Sequence, residues 1–205
     1  MRAGRHQTLS PRLNLPNQLT VARFFLTMLF VLALSVQWPF ANTAGLILFV
    51  VAGITDYADG EIARRRKLET DFGRLMDPLV DKIMMAAAFI CLVEVRALQA
   101  WMVVVIISRE FLITGLRLLA ASKGLVLPAE RMGKHKTIWQ IVTVIFFLLL
   151  LSIKELAGIS NSAKWWWVIW TYGGAALIAF ALGLTLYSGL GYLWKNRALI
   201  TRAGL

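Results

Sequence analysis

A chain of 205 residues that is 59% hydrophobic, with a mean hydropathy of +0.68, is excluded from the ordinary soluble classes and has room for about six membrane-crossing helices of roughly 20 residues each. Its net charge of +11 would fit a nucleic-acid binder, but the apolar runs leave no soluble domain to carry such a face, so the charge points to anionic lipid headgroups or phosphorylated substrates and not to nucleic acid. The single cysteine, Cys91, lies in an apolar run and excludes an intrachain disulfide.

Six apolar runs follow one another in the chain: Leu19–Trp38, Ala41–Asp59, Leu75–Glu94, Ala97–Ala121, Thr137–Ile153 and Trp165–Trp194. A bilayer offers no water to unpaired backbone groups, so these runs predict helices, and the expected fold is an all-α, polytopic membrane protein of six transmembrane helices. Residues 1–18 form a cytoplasmic amphipathic arm, 19–194 the six-helix domain, and 195–205 a basic cytoplasmic tail. No small-residue cleavage site follows the first run, which reads as a retained span. No internal repeat is evident.

Charge sets the sides. Arg2, Arg5 and Arg12 precede the first span; Arg64, Arg65, Arg66, Lys67 and Arg74 lie between the second and third. Arg117, Lys123, Arg131, Lys134 and Lys136 lie around the junction of the fourth and fifth, and Lys195, Arg197 and Arg202 follow the sixth. The opposite side carries only Arg96, Lys154 and Lys164. The positive-inside rule then places both termini in the cytoplasm, which an even number of spans requires. Arg23, Lys82 and Arg109 fall within spans, where a charge costs about 2.5–3.5 kcal/mol at mid-membrane. Lys82 is near a helix end and is expected to snorkel; Arg23 and Arg109 need partners. Trp165, Trp166, Trp167 and Trp170 read as an interfacial anchor. Gly183, Ser188, Gly189 and Gly191 suit close helix packing or a dimer.

Four carboxylates stand out. Asp56 and Asp59 fall at the cytoplasmic exit of the second span, and Asp77 and Asp81 where the third begins. Spacings of three and four residues put each pair on one helix face. Four ionised carboxylates at one depth must share protons or bind cations, and oxygen ligands favour Mg²⁺, Mn²⁺ or Ca²⁺ over zinc. A bland alternative is helix capping: Asp77 before Pro78 has the form of an N-cap followed by a first-turn proline. Gly60 permits close approach, Ala63 lies one turn on if the helix continues, and together they form a slot with Arg64 at its mouth. Divalent cations beside arginines are equipment for phosphate or diphosphate chemistry.

As one string, "DYADGEIARRRKLETDFGRLMDPLVD" fits D-x₂-D-G-x₂-A-R-x₈-G-x₃-D-x₃-D with Asp56, Asp59, Gly60, Ala63, Arg64, Gly73, Asp77 and Asp81 in place. This resembles the signature of the CDP-alcohol phosphotransferases. "NLPNQLTVARF", "SREFLITGLRLLAASKG" and "GKHKT" are similar to the phosphatidylglycerophosphate synthase branch of that family. The resemblance implies a membrane enzyme that docks CDP-diacylglycerol on a pair of divalent ions, Mg²⁺ or Mn²⁺, and passes its phosphatidyl group to an acceptor hydroxyl as CMP leaves. It implies that Asp56, Asp59 and Asp77 ligate metal and that Asp81 completes the metal site and serves as general base. It also implies that Asp56, Asp59, Gly60, Ala63, Arg64 and Gly73 line the nucleotide site, that the membrane is the bacterial inner (cytoplasmic) membrane, that the active site faces the cytoplasm, and that the chain is a homodimer.

The acceptor is read from the basic residues. Arg109 and Arg117 lie two turns apart on the fourth span, offset by about 80°; Lys134 and Lys136 open the fifth; Arg23 is one turn into the first. Such a set suits a phosphorylated acceptor, glycerol 3-phosphate, better than free choline or ethanolamine. Alternatives are cardiolipin synthesis or inositol-phosphate transfer at the same metal site, and a divalent-cation transporter. A transporter more naturally holds its ion at mid-membrane, between repeats.

Overall fold

The computed structural model describes residues 15–36, 38–66, 71–124, 132–159 and 163–202, and within these the side chains of all but 15–16, 57–66, 71–75, 132–134 and 199–202. Helices fill it: α1 (Leu15–Ser35), α2 (Ala41–Arg66), α3 (Asp71–Glu94), α4 (Ala100–Ser122), α5 (Met132–Ala157), α6 (Lys164–Val168) and α7 (Gly174–Arg202), with no strand among the described residues. A π-helical turn, Ile169–Gly173, joins α6 to α7.

Three segments are long and apolar enough to cross a membrane: Asn17–Ser35, His135–Ala157 and Lys164–Ala198. Ala41–Asp56 is a shorter apolar stretch of α2. Helices α3 and α4 have 24 and 23 residues, enough to span, but Asp77, Asp81 and Lys82 on one and Arg109, Glu110 and Arg117 on the other dilute their hydropathy. The outer face is that of a membrane protein. Phe25, Ile54, Leu118, Leu190 and Trp194 are among the many large apolar side chains left exposed.

Inside, α1 packs on α2 and α3, α2 on α5, α5 on α7, α7 on α4, and α3 on both α4 and α5. Phe30, Phe49, Phe89, Leu92, Ile106, Phe147, Leu148 and Leu182 form a core shared by these helices. The ring of Phe147 lies so close to α7 that a Cβ on Gly174 would meet it at 2.6 Å, and it also contacts Trp170, 5.2 Å away between ring centroids. Gly124 and Gly158 end α4 and α5 with φ of +72° and +59°, the left-handed conformation glycine adopts without strain.

Several sequence readings are refined. Helix α2 runs past Asp59 through Arg66, so the condition under which Ala63 follows Gly60 by one helical turn is met. Pro78 does not open α3, which begins at Asp71 and carries Pro78 inside, so Asp77 is not an N-cap. The last helix runs on through Lys195 to Arg202. Of the tryptophans, Trp165 and Trp167 are exposed as anchors would be, but Trp166 is buried and stacks on Trp170, 6.1 Å between centroids.

At the start of α2 the backbone N–H groups of Asn42 and Thr43 lack helical partners, as at any helix N-terminus. Glu155 of α5 supplies them. Its Oε1 accepts from Asn42 N at 3.1 Å and Nδ2 at 3.0 Å, and its Oε2 accepts from Thr43 N at 2.9 Å and Oγ1 at 2.6 Å. Replacing it, as Glu155→Ala, is expected to lower stability by about 1–2 kcal/mol, the scale of a lost cap. A fall in the thermal unfolding midpoint of the detergent-solubilised protein checks this; an unchanged midpoint contradicts it.

Candidate functional site

The second half of α2 and the first turns of α3 bring acidic side chains against α1. Arg23 of α1 is fully buried, with no exposed surface, yet it carries a full charge. Its Nη1 lies 2.7 Å from Asp56 Oδ1 and 2.5 Å from Asp81 Oδ1. Two carboxylate oxygens from different helices therefore converge on one nitrogen. One turn before Arg23, Thr20 donates its hydroxyl to Asp77 Oδ1 at 2.5 Å. The side chains of Asp56 and Asp81 are 45% and 42% exposed, so the cluster is sealed on the α1 side and open on the other.

The carboxylates of Asp56, Asp77 and Asp81 are hard oxygen donors of the kind Mg²⁺ or Ca²⁺ takes, while the point where Asp56 and Asp81 converge is filled by the Arg23 guanidinium. Among the described residues no group of three or more His, Cys, Asp or Glu side chains gathers around a single point. The side chains of Asp59, Gly60, Ala63, Arg64 and Gly73 lie outside the described residues, so Asp56, Asp77 and Asp81 are the expected acids whose positions are described.

Beside Asp81 a cavity of about 260 Å³ opens between α3, α4 and α5. Asp81, Lys82, Glu110 and Gln140 give it polar groups; Phe89 and Ile106 are among its apolar walls. Lys82 Nζ donates to Thr114 Oγ1 on α4, and that hydroxyl donates to the Glu110 carbonyl at 2.8 Å.

The basic residues expected to meet an acceptor divide into two groups. Arg109 Nη1 lies 3.5 Å from Glu110 Oε1, and buried Lys136 of α5 pairs with the same oxygen. Glu110 thus gathers a cation from each of two helices. Arg117, further along α4, donates from Nε to Tyr192 Oη at 3.2 Å. The Lys134 side chain lies outside the described residues. Arg23 stands apart from this group in its pairing, bound to Asp56 and Asp81.

Sequence reasoning passed over Thr20, Glu110, Ser188 and Tyr192 as site residues. Glu110 had a usable signal, since an acid inside an apolar run beside Arg109 is a functional candidate by cost alone. Thr20 lies one turn from Arg23 on the same face. Ser188 and Tyr192 are neutral and had no comparable signal.

Comparison with known proteins agrees with this picture. The sequence profile of the CDP-alcohol phosphatidyltransferase family matches residues 13–186. A relative from Bacillus subtilis (strain 168), named CDP-diacylglycerol–glycerol-3-phosphate 3-phosphatidyltransferase, is 40% identical over 195 residues, covering 89% of this chain and 95% of its own. Relatives of the same name from Rickettsia felis and Pseudomonas fluorescens are 37% and 33% identical, covering 66% and 88% of this chain and 75% and 89% of theirs.

Removing the buried guanidinium, as Arg23→Ala, leaves two carboxylates facing each other without their shared cation. The expected loss is roughly 2–3 kcal/mol, below the value for a fully buried pair because both acids are partly solvated. Thermal unfolding in metal-free detergent solution reads it, and an unchanged midpoint contradicts the pairing.

Proposed function

The chain belongs to the CDP-alcohol phosphatidyltransferase family, and on that premise we propose that it transfers the phosphatidyl group of CDP-diacylglycerol to glycerol 3-phosphate. The acceptor's hydroxyl oxygen forms a bond to the phosphorus that carries diacylglycerol. The bond from that phosphorus to the CMP oxygen breaks, CMP leaves with the electron pair, and the hydroxyl proton passes to a carboxylate. The product is phosphatidylglycerophosphate, a step of phospholipid synthesis.

The observation that carries the reading is the convergence of Asp56 and Asp81 on Arg23, next to a cavity that Asp81 shares with Glu110, the partner of Arg109 and Lys136. Asp56, Asp59, Asp77 and Asp81 would hold divalent metal, Mg²⁺ or Mn²⁺ and as a pair. Bound metal would supply charge neutralisation at the diphosphate. The chain's own residues do the rest. Asp81, at the edge of the cavity, accepts the hydroxyl proton. Thr20 fixes the Asp77 carboxylate, and Arg23 neutralises Asp56 and Asp81 from the buried side. On this reading Arg23 serves the acids and not the acceptor. Gly60, Ala63, Arg64 and Gly73 line the nucleotide. Arg109, Arg117, Lys134 and Lys136 receive the acceptor phosphate, a role for which guanidinium forks and ammonium groups are both suited.

In this reading all six long helical segments cross the inner membrane, with both termini and the site on the cytoplasmic side. Contacts from Arg109 to Ser188 and from Arg117 to Tyr192 advance in the same direction along α4 and α7, as two spans running the same way require. The exposed apolar faces meet lipid, and Gly183 and Gly191, both exposed on α7, are left for a second copy of the chain.

The test is turnover by purified protein given CDP-diacylglycerol, radiolabelled glycerol 3-phosphate and Mg²⁺ or Mn²⁺. Equal release of CMP and labelled lipid is expected, and Asp81→Asn is expected to lower kcat by about a hundredfold or more, the scale of a lost general base. CMP release only with phosphatidylglycerol as acceptor would favour a cardiolipin synthase, and cation flux without CMP a transporter. A near-normal rate in Asp81→Asn would remove Asp81 as the base.

A further inference from the structure

Helix α7 touches the basic group through a single turn. Ser188, Gly189 and Tyr192 are all buried there, Tyr192 with 1% of its surface exposed. Ser188 Oγ donates its proton to the Thr185 carbonyl at 3.2 Å, which turns a lone pair toward Arg109, and Arg109 Nη2 donates to it at 3.1 Å. Gly189 lies under the same side chain: a Cβ there would come within 3.0 Å of Arg109 Cγ. Arg117 donates from Nε to Tyr192 Oη and lies against its ring, with Cζ 5.2 Å from the centroid. One turn on, the Asn196 side chain donates from Nδ2 to the Tyr192 backbone carbonyl at 2.8 Å.

These contacts exceed what helix packing needs. A small residue at 189 would suffice for close approach, whereas here a hydroxyl, a bare backbone and a phenol are each matched to a different part of two arginines. Arginine loses about 2 kcal/mol of rotamer freedom when held, so holding it beforehand spares an anion that cost on binding. We propose that the α7 turn from Ser188 to Tyr192 is the positioning element of acceptor recognition, holding Arg109 and Arg117 ready for the acceptor phosphate. This rests on the assignment of those two arginines to the acceptor. Ser188, Gly189 and Tyr192 are positioning residues that act through them.

The experiment is steady-state kinetics on the full chain in mixed micelles, with each substrate varied in turn, for Ser188→Ala, Gly189→Ala and Tyr192→Phe. Ser188→Ala and Tyr192→Phe each remove one hydrogen bond to a charged group and Gly189→Ala crowds the Arg109 side chain, and each is expected to raise KM for glycerol 3-phosphate by about tenfold. The KM for CDP-diacylglycerol and kcat at saturating acceptor are expected to stay within about twofold, the pattern of lost uniform binding. A purely structural role would move both KM values or kcat, and that result overturns the proposal. Tyr192→Phe keeps the ring in place and serves if either small-residue variant fails to fold. Arg109→Lys and Arg117→Lys are measured beside them. If these leave KM for glycerol 3-phosphate unchanged, the acceptor assignment fails and the proposal with it. If they raise it while the α7 variants do not, the assignment stands and the positioning role alone is overturned.

Discussion

A guanidinium with no exposed surface inside a helical bundle has to be neutralised where it sits, and Arg23 is neutralised by acids from two other helices. Taking such a charge out of water costs several kcal/mol, which excellent geometry and further hydrogen bonds must offset. The pairing therefore fixes how the second half of α2 and the first turns of α3 meet α1. Thr20, one turn earlier, ties Asp77 into the same arrangement. The price of this order is that three helices cannot shift independently at this end of the molecule.

Around that cluster polarity is spread in layers. Asp81 looks into a cavity; beyond it Glu110 gathers Arg109 and Lys136; beyond these, α7 grips the arginines through Ser188 and Tyr192. A second polar contact, Gln140 Nε2 donating to Thr185 Oγ1 at 3.1 Å, pins α5 to α7 just before that turn. Elsewhere the interior is packed mainly by apolar side chains such as Phe30, Phe89, Phe147 and Leu148, with buried hydroxyls at Thr27, Thr143 and Ser152, and the exterior is largely apolar. Charge thus gathers in two groups beside the cavity, Arg23 with Asp56 and Asp81 and Glu110 with Arg109 and Lys136, which suits a reaction between a lipid held in the bilayer and a water-soluble acceptor.

How much of this was legible in the sequence depended on the kind of residue. The acids were legible because charge next to apolar runs is costly and their spacing matches helix periodicity. Arg23 and Arg109 were conspicuous for the same reason, though their partners were not. What sequence left hidden is what only tertiary contact defines. Nothing about a serine or tyrosine in an apolar helix says that an arginine eighty residues away will dock on it. Ser188 and Gly189 were read as helix-packing residues, which is half of their role. The alternative of Asp77 as a helix cap before Pro78 fails because α3 already runs from Asp71. Glu155 was hidden because an acid near a helix end ordinarily does nothing beyond solvation, whereas here it is partly buried and caps α2.

The most direct test is Mn²⁺ binding, followed by electron paramagnetic resonance on the purified protein, with Asp56→Asn on α2 and Asp81→Asn on α3 compared separately. If oxygens from both helices grip a common ion, each substitution alone weakens binding by about tenfold or more. Binding as tight as in the unsubstituted chain after either change would mean that the two helices do not share an ion, and the proposed site would fall.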